Sequence, residues 1–417
     1  MEIDRLNDLP QEITIDILAR LPVQTIMISK CVCKSWRDLV ESPYFVSLHS
    51  HHAALTSARL PAFEDLKFSR AHSLLGFIGG NEIIQKPPKG SVLYTHTFPE
   101  PNKPFIHSSV NGLLFMIDLE SMSQLFICNP ITREYVTIEM GRDCYSYGYA
   151  FGFGVSKSGQ YKLVRVYASC NFPVTCQVYN LGIGHWKSIT IESQMTFWYQ
   201  RGHVPLLVNG NLHWLLLGPD DVFLYPHSIY CLDLETELFE YFSCPHNITV
   251  QNHGGSMQYS LSALSGRLCF SDNADDDVIV IWCMKKYGDD KSWTKDYVIN
   301  RKSSMLRLPE FLHNHTMTYI RYDLYNDFIS NRENLDLVIE YQNRCHEMLY
   351  PVKAFKDGGI LLALGTSARL FYYSDATKVI QEIKKERNHA SSNLVIHSPS
   401  FVSLKSLVME NMMVKLL

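Results

Sequence analysis

The chain has 417 residues, 46% apolar and 19% charged, with a formal net charge of −4, which describes a folded globular protein with room for a small unit plus one large domain or two ordinary ones. The basic residues are scattered, so no concentrated basic face offers itself to nucleic acid, and no apolar run reaches the roughly 18–20 residues that span a bilayer. The start, Met1-Glu2-Ile3-Asp4-Arg5, lacks the order of a signal peptide, and eleven cysteines without framework spacing read as free thiols of the reducing cytoplasm or nucleus.

The first elements are helical. Pro10 suits a first helical turn, Asp8 and Gln11 have the spacing of a capping box, and Glu12 places negative charge at the positive end of the helix dipole. Pro22 biases Leu21 out of helical geometry, so the first helix stops near Arg20. A second helix is expected over about Thr25 to Val32 and a third over about Lys34 to Val40, ahead of Ser42-Pro43. Ile13, Ile17 and Leu21 share one stripe of the first helix, while Ile15 and Leu18 lie well around it from Ile13. A helix that is apolar on two sides needs two things to pack against, and forty-odd residues bury too little surface to be stable alone. One side meets Val32, Trp36 and Leu39; the other is left for a partner or for the rest of the chain.

The ordered set Leu9-Pro10, Ile13, Ile17-Leu18, Leu21-Pro22-Val23, Cys31-Val32-Cys33-Lys34-Ser35-Trp36 and Leu39 resembles the F-box. That resemblance implies docking onto a Skp-type adapter, and through it onto a cullin–RING ubiquitin ligase. The residues it assigns to the adapter are Leu9, Pro10, Ile13, Ile17, Leu18, Leu21, Pro22, Val32, Cys33, Trp36 and Leu39. The second helix, Gln24-Thr25-Ile26-Met27-Ile28-Ser29, departs from plant relatives in lacking basic residues.

Beyond about residue 100, short runs of Val, Ile, Leu, Tyr and Phe stand between Gly, Asn, Asp and Ser turns. The turn glycines at 112, 159, 210 and 266 lie 47, 51 and 56 residues apart, and the next, Gly359, follows after 93. A second series, Tyr135, Trp186, Phe239 and Trp293, keeps steps of 51, 53 and 54. Two markers in register describe one repeated unit, and strands at this period without intervening helices predict four-stranded blades of a β-propeller, about six in number. A two-sheet sandwich is the alternative, but it leaves the register unexplained. Leu394-Val395-Ile396-His397, ahead of Phe401-Val402, is a candidate closing strand.

This region resembles the F-box-associated domain of plant F-box proteins, related to kelch repeats. The resemblance rests on Asn111-Gly112-Leu113-Leu114, Asn129-Pro130-x-Thr132-Arg133, Gly152-Phe153-Gly154, Tyr161-Lys162-Leu163-Val164-Arg165, Asn209-Gly210-x-Leu212-His213-Trp214, Asp233-Leu234-Glu235-Thr236 and Ile281-Trp282-x-Met284-Lys285-Lys286-Tyr287-Gly288. The expected fold is therefore mainly β with a small N-terminal all-α unit: a three-helix F-box over 1–48, a linker and first strands over 49–104, a kelch-like propeller over 105–401 and a C-terminal tail over 402–417.

Residues that invite a catalytic or metal reading carry little. Asp272–Asp277 lacks the glycine and the terminal carboxylate of a calcium loop and reads as a solvated hairpin tip. His49, His51 and His52 lack a second ligand pair and read as a polar linker. His213 sits in an alternating strand as a packed residue, and Trp186, Trp214, Trp282 and Trp293 read as core before they read as a sugar-stacking platform. No hydrolase elbow, phosphate loop or dinucleotide fingerprint occurs. The resemblances together imply a non-catalytic receptor without cofactor or metal, in cytoplasm or nucleus. Its partners would be the Skp-type adapter, a cullin through it, and a target protein held by loops on one propeller face. A protein that sequesters partners outside a ligase, and a lectin-like propeller, are the rivals.

Overall fold

The structure, a computed structural model, describes residues 9–21, 23–56, 73–76, 92–96, 104–118, 124–140, 149–169, 172–189, 191, 205–217, 226–245, 259–273, 275, 277–301, 348–355, 357–364, 370–383, 397, 400–410 and 412–416. They fall into two compact units, Met1–Gly141 with Val395–Leu417, and Arg142–Leu394.

The first unit opens with α1 (Gln11–Ala19), α2 (Val23–Ser29), α3 (Lys34–Glu41) and α4 (Pro43–Thr56). Pro10 stands at the cap of α1 and not inside its first turn, its carbonyl accepting from the Ile13 and Thr14 amides at 3.1 Å. The anticipated partner Asp8 lies outside the described residues, as does Pro22. The fourth helix replaces the polar linker expected around His49. Ser42 explains it: its hydroxyl donates to the Leu39 carbonyl (2.7 Å) and accepts from the Phe45 amide (3.2 Å). One serine thus closes α3 and caps α4, with Pro43 in the first helical position, where a missing amide costs nothing.

Strands β1 (Ser73–Gly76) and β2 (Val92–His96) form an antiparallel pair. Strands β3 (Pro104–Val110), β4 (Leu113–Asp118), β5 (Gln124–Asn129) and β6 (Glu134–Glu139) make an antiparallel meander, and the C-terminal strand Lys415–Leu416 adds to the edge of β6. Strand addition thus falls to Lys415–Leu416. The described residues of the candidate closing segment, His397 and Phe401-Val402, are not in a strand; they are held by side-chain hydrogen bonds.

The second unit holds four further meanders. They are β7 (Tyr149–Val155), β8 (Tyr161–Ser169), β9 (Phe172–Asn180) and β10 (Trp186–Ile189); β11 (Leu206–Val208), β12 (Asn211–Leu217), β13 (Pro226–Asp233) and β14 (Phe239–Ser243); β15 (Tyr259–Leu264), β16 (Arg267–Asp272), β17 (Val278–Met284) and β18 (Trp293–Asn300); and β19 (Leu349–Ala354), β20 (Ile360–Leu364), β21 (Leu370–Ser374) and β22 (Val379–Ile383). The described residues therefore hold five blades, against about six from the sequence period. The repeat has a local cause. Asn111-Gly112, Asn209-Gly210 and Ser265-Gly266 are two-residue turns with both residues at positive φ, the geometry that matches the twist of the flanking strands and favours Asn-Gly.

Second strands such as β4 and β20 are buried at every residue, as expected of strands covered on both faces. The outer strand β10 has no buried residue. Within the second unit the blades pack in sequence: Val164 and Val178 against Leu212, Trp214 and Leu232, Ile229 and Cys231 against Phe270, Trp282 and Trp293, and Cys269, Ile281 and Cys283 against Leu349, Ile360 and Phe371.

Polar struts cross these seams. Lys162 is buried, its ammonium donating to the Leu234 carbonyl (2.6 Å) and to Glu237 (2.9 Å), which also receives Lys187 (2.6 Å). Asn273 accepts from Arg301 (2.7 Å) and from the Leu349 amide (3.1 Å). That second contact corrects the solvated reading of the 272–277 hairpin. Asp272 and Asn273 are buried because the turn anchors the next blade. Among its described residues, only Asp275 and Asp277 stand partly exposed.

Candidate docking surface on the helical unit

The four helices share a core of Ile15, Leu18, Ala19, Ile26, Leu39, Val40 and Phe45, which also takes in Ile131 from the β5–β6 turn and Phe401 from the C-terminal segment. The inner face of α1 therefore has its partner inside the same unit. Its outer stripe does not: Ile13 and Ile17 are 49% and 46% exposed. Val32 at 62% and Ile28 at 68% extend the exposed apolar surface of the helical unit, as does Tyr44.

The residues assigned from sequence thus divide into two sets. Ile13, Ile17 and Val32 are open to a partner, Pro10 is exposed, and Leu9, Leu21, Cys33 and Trp36 are half-buried. Leu18 and Leu39 are buried in the shared core of the helices. Cys33 caps α3, its sulfur accepting from the Trp36 amide at 3.5 Å. Ile28 and Tyr44, also exposed, are not among the residues assigned from sequence. Ile28 lies about 200° around α2 from buried Ile26, a signal that was present; Tyr44 was hidden because residues after Ser42 were not read as helix.

Two ion pairs lie on the helices that carry this surface. Arg20 pairs with Asp16 one turn back (3.0 Å) and Lys30 with Glu41 (2.7 Å), contacts that at exposed positions contribute about 0–1 kcal/mol each.

The rest of the described chain does not assemble a reactive centre. His213 donates through Nδ1 to the Leu206 carbonyl (3.0 Å), and its Nε2 and the Asn211 side-chain amide both hydrogen-bond with the Tyr287 hydroxyl (2.9 and 2.7 Å). Burial holds its pKa down at about 4, so it is a neutral strut between blades. Burial, with Glu240 nearby, pushes the Cys231 thiol up to about 12, and burial raises Cys128, Cys176 and Cys244 further. Such thiols are poor nucleophiles. Among the described residues no group of three His, Cys, Asp or Glu side chains stands close enough to hold a metal ion, and no helix is long and apolar enough to cross a membrane. Trp214, Trp282 and Trp293 are buried in the inter-blade cores, and the half-buried Trp186 is covered by the Arg165 guanidinium at 4.2 Å.

Comparison with known proteins gives two family matches: "F-box domain" over residues 6–48 and "F-box associated beta propeller domain" over residues 89–404. Similar curated proteins include F-box protein CPR1 of Arabidopsis thaliana, 28% identical over 71% of this chain and 74% of the relative. Another is F-box protein At5g49610 of the same plant, 27% identical over 68% and 77%. Among solved structures, the uncharacterized protein lmo1340 from Listeria monocytogenes aligns at 10% identity over 81% of this chain and 85% of its own, with a TM-score of 0.37.

Proposed function

Because the chain belongs to the F-box proteins that carry an F-box-associated β-propeller domain, we propose that it is the target-receptor subunit of an SCF-type ubiquitin ligase. In this reading the helical unit binds a Skp-type adapter, and a cullin through it, in cytoplasm or nucleus. The propeller holds a target protein near the ubiquitin-loaded enzyme. The work is positional: it raises the effective concentration of target lysines, and other subunits do the chemistry.

The observation that carries the reading is the two-sided first helix. Ile15 and Leu18 are used inside the unit, while Ile13 and Ile17, with Val32, Ile28 and Tyr44 on the neighbouring helices, remain exposed. The adapter contact is assigned to these exposed residues, with Leu9, Pro10, Leu21, Cys33 and Trp36 beside them and Leu18 and Leu39 supporting from within; Pro22 belongs to the set by its place in the sequence motif alone. Co-purification of the full chain with a plant Skp-type adapter tests docking. Lengthened half-lives of captured proteins after cullin inactivation separate a ligase receptor from a sequestering protein. A chain that recovers no adapter, or whose captured proteins turn over unchanged, refutes the proposal.

A further inference from the structure

The C-terminal segment is not free of the fold. Asn129, fully buried at the end of β5, directs its amide nitrogen at it. Its Nδ2 donates to the carbonyls of Ser400 (3.0 Å) and Val402 (2.7 Å), on either side of Phe401, while its Oδ1 accepts from the Ile131 amide (2.9 Å). Five residues on, Glu134 accepts from the Ser403 hydroxyl (3.0 Å) and the Leu404 amide (2.7 Å). The Ser400 hydroxyl donates to the Asn111 carbonyl at 2.7 Å. Asn111, Asn129 and Glu134 all stand where the β3–β4 and β5–β6 turns meet their strands, at one end of the first blade.

Between these two clamped carbonyls, the ring of Phe401 enters the core of the helical unit. Its centroid lies 5.9 Å from that of Phe45 and 5.1 Å from that of His49, both edge-on. It shares a buried cluster with Ile15, Leu18, Val40 and Ile131. The face of α1 opposite the exposed Ile13 and Ile17 is thus fastened to the blade through a residue nearly four hundred positions away in sequence.

We propose that Phe401 is a positioning residue, and that segment 400–404 is the joint that fixes the adapter-docking helices on the first blade. The inference rests on the receptor reading for its purpose. A receptor that only supplies position transmits it no better than its least rigid connection, so the bearing of the adapter on the platform is set here. Loss of the joint leaves Ile13 and Ile17 able to dock while removing the fixed direction between docking face and blade.

The test uses the full chain with Phe401→Ala, Phe401→Leu as the conservative rescue, and wild type. Hydrogen exchange in the free chain is expected to accelerate about tenfold or more in α1 and α4 for the alanine variant, with β12, β16 and β20 unchanged as a control of folding. In complex with a plant Skp-type adapter, affinity is expected to stay within about threefold of wild type, while small-angle scattering shows a wider spread of dimensions. Leucine should restore both. Unchanged exchange in α1 and α4, or identical scattering from the alanine and wild-type complexes, overturns the joint. A wild-type chain that fails to bind the adapter defeats the receptor reading instead, and the exchange measurement still decides the joint.

Discussion

Replacing Ile13 and Ile17 together by Asp separates docking from folding. About half of each side chain is exposed (49% and 46%). Full burial of an isoleucine is worth about 1.5–3 kcal/mol, so covering the remaining halves supplies about 2 kcal/mol for the pair. Two carboxylates placed under a closing apolar interface add a desolvation cost of about 2–5 kcal/mol. The sum, at least about 4 kcal/mol, weakens adapter binding about a thousandfold. Folding should barely register the change, because neither side chain belongs to the helical core and exposed substitutions shift stability by roughly 0.5 kcal/mol. Leu18→Ala is the contrast: that residue is 1% exposed, its truncation costs about 2–5 kcal/mol of stability, and its binding defect comes with a lowered melting transition. Titration calorimetry against the adapter and thermal melting by circular dichroism read both variants. The reasoning fails if the double aspartate variant binds within about threefold of wild type, or if it melts along with Leu18→Ala.

Three further outcomes are expected. Gly112→Ala, at φ +82° with its new methyl carbon 2.6 Å from the Ser400 amide nitrogen, should destabilise more than Gly266→Ala, at φ +74° with open space around it; equal urea midpoints would contradict the seating of the C-terminal segment on this turn. Burial pushes the Glu237 carboxyl up, but hydrogen bonds from Lys187 and Lys162 outweigh it and the net shift is downward. Its stabilisation is therefore present above the unfolded value near 4.5 and is lost as pH falls through the lower folded value. Glu237→Gln should be less stable at neutral pH and show a shallower acid decline in chemical denaturation; a parallel decline would remove the assignment. His107, His213 and His397 are held at about 4 by burial, below their ordinary 6.5. The unfolded chain thus binds protons that the native one does not between those values, and stability should fall with pH across that window. Proton uptake on unfolding at pH 5, measured by calorimetry in buffers of different ionisation heat, should exceed that at pH 8; no difference would show these rings to be accessible in the native state.

The two-sided first helix was legible because helical periodicity is local: Ile13 and Ile17 stand one turn apart, and Ile15 and Leu18 fall on other faces whatever surrounds them. The blades were legible because Asn111-Gly112 and Asn209-Gly210 encode their hairpins in two adjacent residues. Leu18 and Leu39 were harder. An apolar residue in a docking motif reads the same whether it touches the partner or supports the residue that does, and only burial distinguishes them. The fourth helix was missed at Ser42-Pro43, a pair that stops one helix and starts another, and the pattern before it favoured the stop.

From the order of residues alone follow the helical unit with its surplus apolar face, the repeating four-stranded blade and the absence of a recognisable catalytic motif, since each depends on neighbours within a few turns or one period. Tertiary structure alone decided that five blades stand among the described residues, that the Asp272–Asp277 turn is an anchor, and that Phe401 completes the core beneath α1. Those outcomes depend on contacts such as Asn129 with Ser400 and Asn273 with Leu349, between residues whose separation carries no periodic signal and which recognise each other only when the sheets are built.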